Sequence, residues 1–286
     1  MTFRHKLSRR LAGLCAAIPP LVAACGSEPT GPAGSPSLIV FPGGDNSPPA
    51  VTITTPIDGQ LVAMSGGVAT VHLAADLTDP DVFDTHTCDI DWEAGTTAGL
   101  VEEADGAGIC TGNFDYTTPG VYTIGVTVTD PLGETATDQV FVVVYDPTGG
   151  FVTGGGWIDA APGSYPLDPS LAGKATFGFV AKYKRGASTP DGNTEFQFHA
   201  AGMNFHSIAY DWLIVAGGKA MYKGTGTVNG TGSYQFMMSA IDGSPDRLRM
   251  RIWSDAGVLF DNQVGDTDDA DPLTALSGGS IVIHGH

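Results

Sequence analysis

Alternation of apolar and polar residues with a period of two is the feature that most constrains the fold of this chain. In "VYTIGVTVTD", Tyr122, Ile124, Val126 and Val128 fall on one face of an extended chain, and threonine and glycine fall on the other. This pattern is typical of a strand with one buried face. "VTITT", "ATVHLAAD", "CDIDW" and "QVFVVVY" read as further strands between Pro, Gly and Asp turn signals. Residues 50–147 are therefore predicted to form a β-sandwich of about five to seven strands.

From residue 149 the composition changes, because aromatics and glycine increase and cysteine is absent. Six further segments read as strands: 151–158, 174–184, 219–228, 233–241, 247–253 and 280–284. Residues 148–286 are predicted to form a second antiparallel β-sandwich-like domain, so the whole chain is expected to be all-β.

The N-terminal residues 1–24 have the layout of an export signal. Four cations precede an apolar stretch of about 14 residues, which is shorter than the roughly 20 residues of a membrane-spanning helix. The small residues before Cys25 resemble the bacterial lipobox, which implies lipidation of Cys25 and cleavage before it. The alternative is an ordinary signal cut near Ala23 or Ala24, with Cys25 incidental.

Residues 25–49 are rich in Pro, Gly and Ser and are predicted to be a flexible tether. With the lipobox, this composition predicts an exported protein that contacts the membrane through a lipid anchor. Gly26, in place of Asp after the cysteine, implies the outer membrane by the same resemblance, where a folded body could reach the cell surface.

The charge balance argues against nucleic acid as a partner. The formal net charge is −18, and removal of the four signal cations leaves −22. No Lys or Arg lies between Cys25 and Pro147, whereas a phosphate backbone requires a basic stripe. All nine remaining cations lie between Lys174 and Arg251.

Cys88 and Cys110 are the two cysteines that remain once the signal is removed and Cys25 is lipidated. In an exported protein they are expected to form a disulfide, which stabilises by about 3 kcal/mol in the chain-entropy account. A zinc or redox role is the weaker alternative, because no Cys-x-x-Cys pair or histidine cluster supports it.

Residues 50–147 resemble a PKD-type domain, an immunoglobulin-like sandwich of secreted and cell-surface proteins. The matching residues, within "FDYTTPGVYTIGVTVTD", are Tyr116, Pro119, Gly120, Tyr122 and Asp130. The sequence departs from the family where Trp92, Glu93, Ala94 and Gly95 replace W-x-F-G-D-G, and where Phe114 replaces a histidine. The resemblance implies a spacer, adhesion or carbohydrate-associated module and carries over no catalytic residue.

Residues 150–286 resemble a C-terminal module that follows PKD-type repeats in secreted bacterial proteins and is called a post-COAP domain. The resemblance rests on "FVTGGGWID", "GKATFGFVAKYKRG", "TEFQFHAAGMNFHS", "YDWLIV" and "GGSIVIHGH". The resemblance implies the architecture of this domain and its occurrence in secreted proteins, but it implies no mechanism.

The stretch "NTEFQFHAAGMNFHSIAYDW" could be a metal or catalytic site or the two faces of a hairpin. A four-residue loop from His199 to Gly202 would place Glu195 opposite His206 as a surface pair. The stretch has too few ligands at metal-binding spacing and no partner carboxylate for hydrolysis. A structural hairpin is therefore predicted.

Two acidic loops are candidates for structural calcium. The better one, "GDTDDADP", supplies Asp266, Asp268, Asp269 and Asp271, although it departs from the EF-hand pattern. The alternative is an exposed acidic turn. The loop "DLTDPDVFDTHTCDID" is the weaker candidate, because its spacing matches no defined ligand loop.

The function predicted from these features is a non-catalytic cell-surface lipoprotein that acts as a binding, adhesion or structural module. Its expected partners are the membrane, and a polysaccharide or surface proteins. A sugar-stacking platform could be formed by Trp157, Trp212, Tyr222 or Trp253 if these side chains are exposed. The alternative is an extracellular enzyme, or an enzyme accessory domain, acting on polysaccharide, which would need two converging carboxylates.

Overall fold

The structure is a computed structural model that describes residues 46–285. The predicted export signal, the lipidation of Cys25 and the tether up to residue 45 lie outside the described residues. The described chain consists of strands and turns with one short 3₁₀ turn, which confirms the all-β fold class. Within residues 46–285 no helix has the length and apolar character that a membrane crossing requires.

Residues 50–145, here called the first β-region, form two sheets that pack face to face. Its strands are β1 (Ala50–Thr55), β2 (Gln60–Ala63), β3 (Ala69–Thr78), β4 (Thr87–Asp91), β5 (Thr96–Ala98), β6 (Leu100–Ala104), β7 (Ala107–Tyr116), β8 (Gly120–Thr129) and β9 (Thr135–Tyr145). One sheet has the order β1-β3-β7-β6 and the other β2-β9-β8-β4-β5. Neighbouring strands are antiparallel, except that β2 and β9 are parallel.

The two faces of β3 show why this region folds as a sandwich. Its side chains alternate between buried and solvent-facing positions along the strand, as the sequence period of two requires. The predicted disulfide between Cys88 and Cys110 is confirmed, and it joins β4 of one sheet to β7 of the other inside the core. Trp92 is fully buried beside it, and its carbonyl accepts a hydrogen bond of 2.9 Å from the Tyr116 hydroxyl.

Residues 151–284, here called the second β-region, form one nine-stranded sheet. Its strands are β10 (Phe151–Ala160), β11 (Gly173–Tyr183), β12 (Pro190–Phe198), β13 (Met203–Ala216), β14 (Lys219–Val228), β15 (Thr231–Ile241), β16 (Arg247–Ser254), β17 (Gly257–Asp261) and β18 (Gly278–His284). Consecutive strands pair from β10 to β17, and β18 returns to pair with β10. All pairs are antiparallel.

The nine-stranded sheet curls over onto itself. The Phe260 ring on β17 packs at 4.8 Å from Phe196 and 5.4 Å from Phe198, although both lie on β12, five positions away in the sheet. Ile281 on β18 donates its backbone N–H to the Asp246 carboxylate next to β16 at 2.8 Å. The two layers of this sandwich-like region are therefore parts of one continuous sheet that enclose a single apolar core.

A buried apolar cluster joins the two β-regions. Val143 and Tyr145 on β9 pack with side chains from β13, β14 and β15, which are Trp212, Ile214, Met221 and Met237. Tyr145 also stacks on Tyr183, with ring centroids 5.7 Å apart. Because burial of each large apolar side chain stabilises by about 1.5–3 kcal/mol, this interface holds the two regions together. Residues 46–285 accordingly belong to one compact unit.

Candidate functional site

The stretch from Asn193 to Trp212 contains the hairpin that the sequence predicts. Phe196 pairs with Phe205 and Glu195 with His206, and the predicted register is confirmed. His199 begins the 3₁₀ turn, and Gly202 closes it with a φ of 59°. Glu195 and His206 approach to 3.5 Å on the exposed face. The phenylalanines face the core, so this stretch is structural.

Two of the four aromatic residues predicted for a sugar-stacking platform are buried. Tyr222 has no exposed surface, and its hydroxyl lies 3.1 Å from the Thr194 hydroxyl and 2.8 Å from the Met238 sulfur. It cannot form part of a surface platform, because it belongs to the core of the second β-region. Trp212 is 6% exposed and belongs to the cluster between the two β-regions.

The other two aromatics are half-buried and carry cations over their rings. The Lys174 amine lies 4.9 Å from the Trp157 ring centroid. The Lys223 amine and the Arg251 guanidinium lie 5.6 Å and 5.1 Å from the Trp253 ring centroid. These cation–π contacts cover part of each ring on which a sugar would stack. The four predicted residues therefore do not form one exposed platform.

A cleft of about 350 Å³ lies where the two β-regions meet, a size within the range of ligand-binding pockets. The first β-region contributes Val121, Thr123 and Phe141 from β8 and β9, with Gly59, and the second contributes Trp212, Lys223, Met237 and residues 267–269. We call this the interdomain cleft. Its lining combines apolar and aromatic side chains with two hydroxyls, one amine and two carboxylates.

Three residues of this cleft were predicted site residues, Trp212 as a sugar contact and Asp268 and Asp269 as calcium ligands, and the others were missed. Phe141 is the most exposed aromatic among them, at 38% of its surface. It follows Val140 on β9 and faces away from the core of the first β-region, where a solvent-facing position is normally polar. An aromatic residue on the polar face of an alternating strand is the signal that could have identified it.

Cations of the protein contact the acidic loop next to the cleft. Arg251 forms an ion pair with Asp268, and Lys219 pairs with Asp271 at 2.6 Å. The buried Arg249 donates to the backbone carbonyls of Thr267 and Asp266 at 2.5 and 3.2 Å. These contacts supply positive charge that a bound calcium ion would otherwise provide. Calcium at Asp266, Asp268, Asp269 and Asp271 stays a prediction, and the geometry shows the loop already partly neutralised.

A second acidic group comes together in the first β-region. Within residues 46–285, ligand oxygens of Asp79, Asp84 and Asp130 lie within 4.8 Å of one another, and no other set of three or more His, Cys, Asp or Glu residues meets this distance. The sequence places Asp79 and Asp84 in the weaker calcium loop but gives no reason to add Asp130, which follows β8. Carboxylates are suitable ligands for calcium.

The His86 imidazole lies beside this acidic group. Its Nε2 lies 2.9 Å from Asp79 and its Nδ1 lies 2.7 Å from Glu103, while its side chain is fully buried. Burial lowers the pKa of His86, but the hydrogen bonds to Asp79 and Glu103 and their negative charges outweigh it, so the pKa is raised. When His86 is protonated, its imidazolium neutralises part of the acidic group.

Comparisons with known proteins leave the family open. No protein-family model matches the chain, and no curated protein matches it either. Among the solved structures that match is a chain described under "Structural basis for the promiscuous specificity of the carbohydrate-binding modules from the beta-sandwich super family". The two chains are 14% identical, and the alignment covers 85% of this chain and 94% of that chain with a TM-score of 0.27. A TM-score this low supports no inference about fold or ligand, so the function is argued from the geometry of the chain itself.

Proposed function

We propose that this protein is a non-catalytic, lipid-anchored module of the cell envelope that binds polysaccharide. The interdomain cleft is the proposed binding site. The lipobox and the tether support a location of the protein outside the cytoplasm. The PKD-type and post-COAP-like resemblances support a role as a surface module. Surface proteins are the other class of partner compatible with this role.

The observation that carries the proposal is the mixed lining of the interdomain cleft. A sugar ring presents an apolar face that packs on aromatic side chains and hydroxyls that hydrogen-bond to polar groups. Phe141 supplies the accessible aromatic surface, the largely buried Trp212 lines the wall behind it, and Thr123 and Lys223 supply polar groups in the same cleft. Ligand pockets of proteins combine a mostly apolar wall with a few polar groups in this way.

The carboxylates near the cleft support binding over catalysis. Glu93, in the adjoining pocket with Asp269, accepts a hydrogen bond of 2.6 Å from the Thr123 backbone N–H. Asp268 is paired with Arg251. Glycoside hydrolysis needs one carboxyl group to act as an acid and another as a base or nucleophile. Two of the three carboxylates have structural contacts instead.

The proposal is tested with the purified chain from residue 26 to residue 286, which contains every described residue. Binding to neutral polysaccharides and to cell-wall polymers is measured by calorimetry and by affinity electrophoresis. We expect Phe141→Ala to weaken binding about tenfold, which corresponds to about 1.4 kcal/mol. Phe83→Ala is the matched control, because Phe83 is 95% exposed and lies outside the cleft.

Two results would contradict the proposal. Binding that is equally strong in wild type, Phe141→Ala and Phe83→Ala would remove the cleft as the site. Release of new reducing ends from a bound polymer by the wild type would favour the enzyme alternative.

A further inference from the structure

A second pocket, of about 380 Å³, lies at one end of the second β-region, beside the connection from β9 to β10. We call it the end pocket. It is lined by Pro147, Thr148, Gly150, Phe151, Lys182, Tyr183, Lys184, Arg185, Gly186, His284 and Gly285. None of these residues lines the interdomain cleft. The end pocket is therefore a separate place for a ligand.

A row of three side chains crosses three adjacent strands at the end pocket. Phe151 on β10 lies opposite His284 on β18 and opposite Lys182 on β11. Directly opposite residues project from the same face of a sheet, about 5 Å apart. The rings of Phe151 and His284 stack with centroids 4.1 Å apart and an interplanar angle of 17°. Phe151 remains 36% exposed, so an aromatic surface stays open next to the lysine.

The end pocket concentrates positive charge on a chain that is acidic overall. Lys182, Lys184 and Arg185 are exposed and line it, whereas the whole sequence has a net charge of −18. Lys184 is paired with Asp191 at 2.7 Å. Within residues 46–285, Lys182 and Arg185 form no ion pair, so their charges are available to a ligand.

The nearby carboxylates do not cancel this charge. Asp191 lies opposite Lys182 across the β11–β12 pair and binds Lys184. The pKa of Asp191 is lowered by its hydrogen bond to Lys184 and by the charges of Lys184 and Lys182, so it stays ionised. The Asp146 carboxylate is bound within its own loop, where it accepts two hydrogen bonds of 2.8 Å from the backbone N–H and the hydroxyl of Thr148. Lys182 and Arg185 thus remain the cations of this group that form no ion pair among the described residues.

We infer that the end pocket binds an acidic polysaccharide, in which sugar rings carry carboxylate or sulfate groups. This inference rests on the proposed polysaccharide-binding function and adds the ligand's charge and a second contact point. Phe151 would pack on the apolar face of a sugar ring, and Arg185 and Lys182 would bind the anionic groups. A guanidinium binds a carboxylate or sulfate through two parallel hydrogen bonds, which makes Arg185 the main determinant of charge selectivity.

The test uses the purified chain from residue 26 to residue 286 and polymers that differ in charge alone. Polygalacturonate is compared with its methyl-esterified form, and dextran sulfate with dextran. We expect binding to a charged polymer and at least tenfold weaker binding to its uncharged counterpart. We also expect the affinity for the charged polymer to fall as salt is raised, because exposed charges are screened.

The variants separate a specific pocket from general charge attraction. Lys182→Gln/Arg185→Gln and Phe151→Ala are each expected to weaken binding to the charged polymer about tenfold. Arg247→Gln is the matched control, because Arg247 is an exposed cation outside the end pocket. Equal losses in Lys182→Gln/Arg185→Gln and in a double variant that pairs Arg247→Gln with Lys174→Gln would overturn the inference.

The remaining outcomes distinguish this inference from the proposed function. Binding of neutral polymers that depends on Phe141 and not on Arg185 would leave the proposed function standing and overturn the end pocket. Binding to anionic phosphatidylglycerol vesicles, without binding to either charged polymer, would identify a lipid-headgroup site and also overturn it. Failure to bind any polymer would remove both proposals.

Discussion

The Arg249 guanidinium and the Asp261 carboxylate form an ion pair that is withdrawn from solvent. Two hydrogen bonds of 2.9 and 3.1 Å join them, and their side chains are 1% and 6% exposed. Because Arg249 also binds the carbonyls of Asp266 and Thr267, it connects β16, the end of β17 and the acidic loop. This pair therefore fixes the loop that borders the interdomain cleft.

Removal of one partner of this pair should destabilise the fold strongly. Asp261→Ala leaves the buried guanidinium without a counter-ion, and we expect the free energy of unfolding to fall by about 3–5 kcal/mol. Urea unfolding followed by tryptophan fluorescence measures the change. Asp191→Ala, which removes the carboxylate of an exposed pair, is the control and should have a much smaller effect. Equal effects of the two variants would show that burial of the pair is unimportant.

The cluster between the two β-regions should make them unfold together. Trp212→Ala removes the largest side chain of this cluster, and truncations of this kind cost about 3–5 kcal/mol. We expect one thermal transition for the wild type and two separate transitions for Trp212→Ala in calorimetry. Phe151→Ala, on β10 and outside this cluster, should keep one transition. A single transition in Trp212→Ala at a lower temperature would mean that the two regions do not depend on this cluster for coupling.

The hairpin and the disulfide could be predicted because local rules decide them. Gly202 at the end of a four-residue loop fixes the register of Phe196 against Phe205, and a one-residue shift would expose both rings. Cys88 and Cys110 left few alternatives in an exported chain. A short segment contains the physical reason for the hairpin, and the cysteine count of an exported chain contains that for the disulfide.

The interface between the two β-regions was not predicted, although the sequence carries a signal for it. Side chains of β9 from Val142 to Tyr145 are all buried, as are those of β13 from Trp212 to Val215 and of β15 from Phe236 to Ala240. In the sequence these are continuous apolar runs rather than alternating ones. Such a run indicates burial of both faces of a strand but does not identify what covers the second face. The partner is remote in sequence, so the cleft at its edge was missed.

Tyr222 should make the stability of the second β-region fall at alkaline pH. Burial raises its pKa well above the ordinary value of 10, and the nearby Tyr210 adds to the increase. Below about pH 10 the Tyr222 hydroxyl is protonated in both the folded and the unfolded state, so its contribution to the free energy of unfolding is fully present. Above that pH the unfolded chain loses the proton while the folded chain keeps it, so stability falls as pH rises.

The variant Tyr222→Phe isolates this contribution. We expect the free energy of unfolding of the wild type to fall more steeply above pH 10 than that of Tyr222→Phe, by up to about 1.4 kcal/mol per pH unit. Tyr234→Phe is the control, because Tyr234 is only partly buried. Identical slopes for the wild type and Tyr222→Phe between pH 10 and 12 would show that Tyr222 ionises as easily in the folded protein as in the unfolded chain.

The lipid anchor is tested at Cys25. Metabolic labelling with palmitate in a bacterial host should label the wild type and leave Cys25→Ser unlabelled, since the thiol is the acceptor in the lipobox reading. Two chains would give stable membrane association, where one is marginal. The Cys25→Ser protein should therefore also move from the membrane fraction to the soluble fraction. Palmitate on Cys25→Ser would reject lipidation at this residue.

Calcium is tested by melting curves of the chain from residue 26 to residue 286 in EDTA and in millimolar calcium. Binding to the folded state alone stabilises by about 2.7 kcal/mol at a hundredfold excess over Kd, which raises the melting temperature. Our prediction from the sequence is that Asp268→Asn/Asp269→Asn abolishes this increase. If the increase in melting temperature persists in Asp268→Asn/Asp269→Asn and is lost in Asp84→Asn, the ion lies in the first β-region, at the acidic group of Asp79, Asp84 and Asp130.

Ion pairs of the acidic loop provide the competing expectation for the same experiment. If Lys219 and Arg251 supply all the positive charge that the loop needs, the wild-type curves in EDTA and calcium coincide. Lys219→Gln/Arg251→Gln then distinguishes a loop with no affinity for calcium from one whose site the cations occupy. A calcium-dependent increase that appears only in this variant would show that the two side chains take the place of the ion. Superimposable curves for both proteins would reject calcium at this loop.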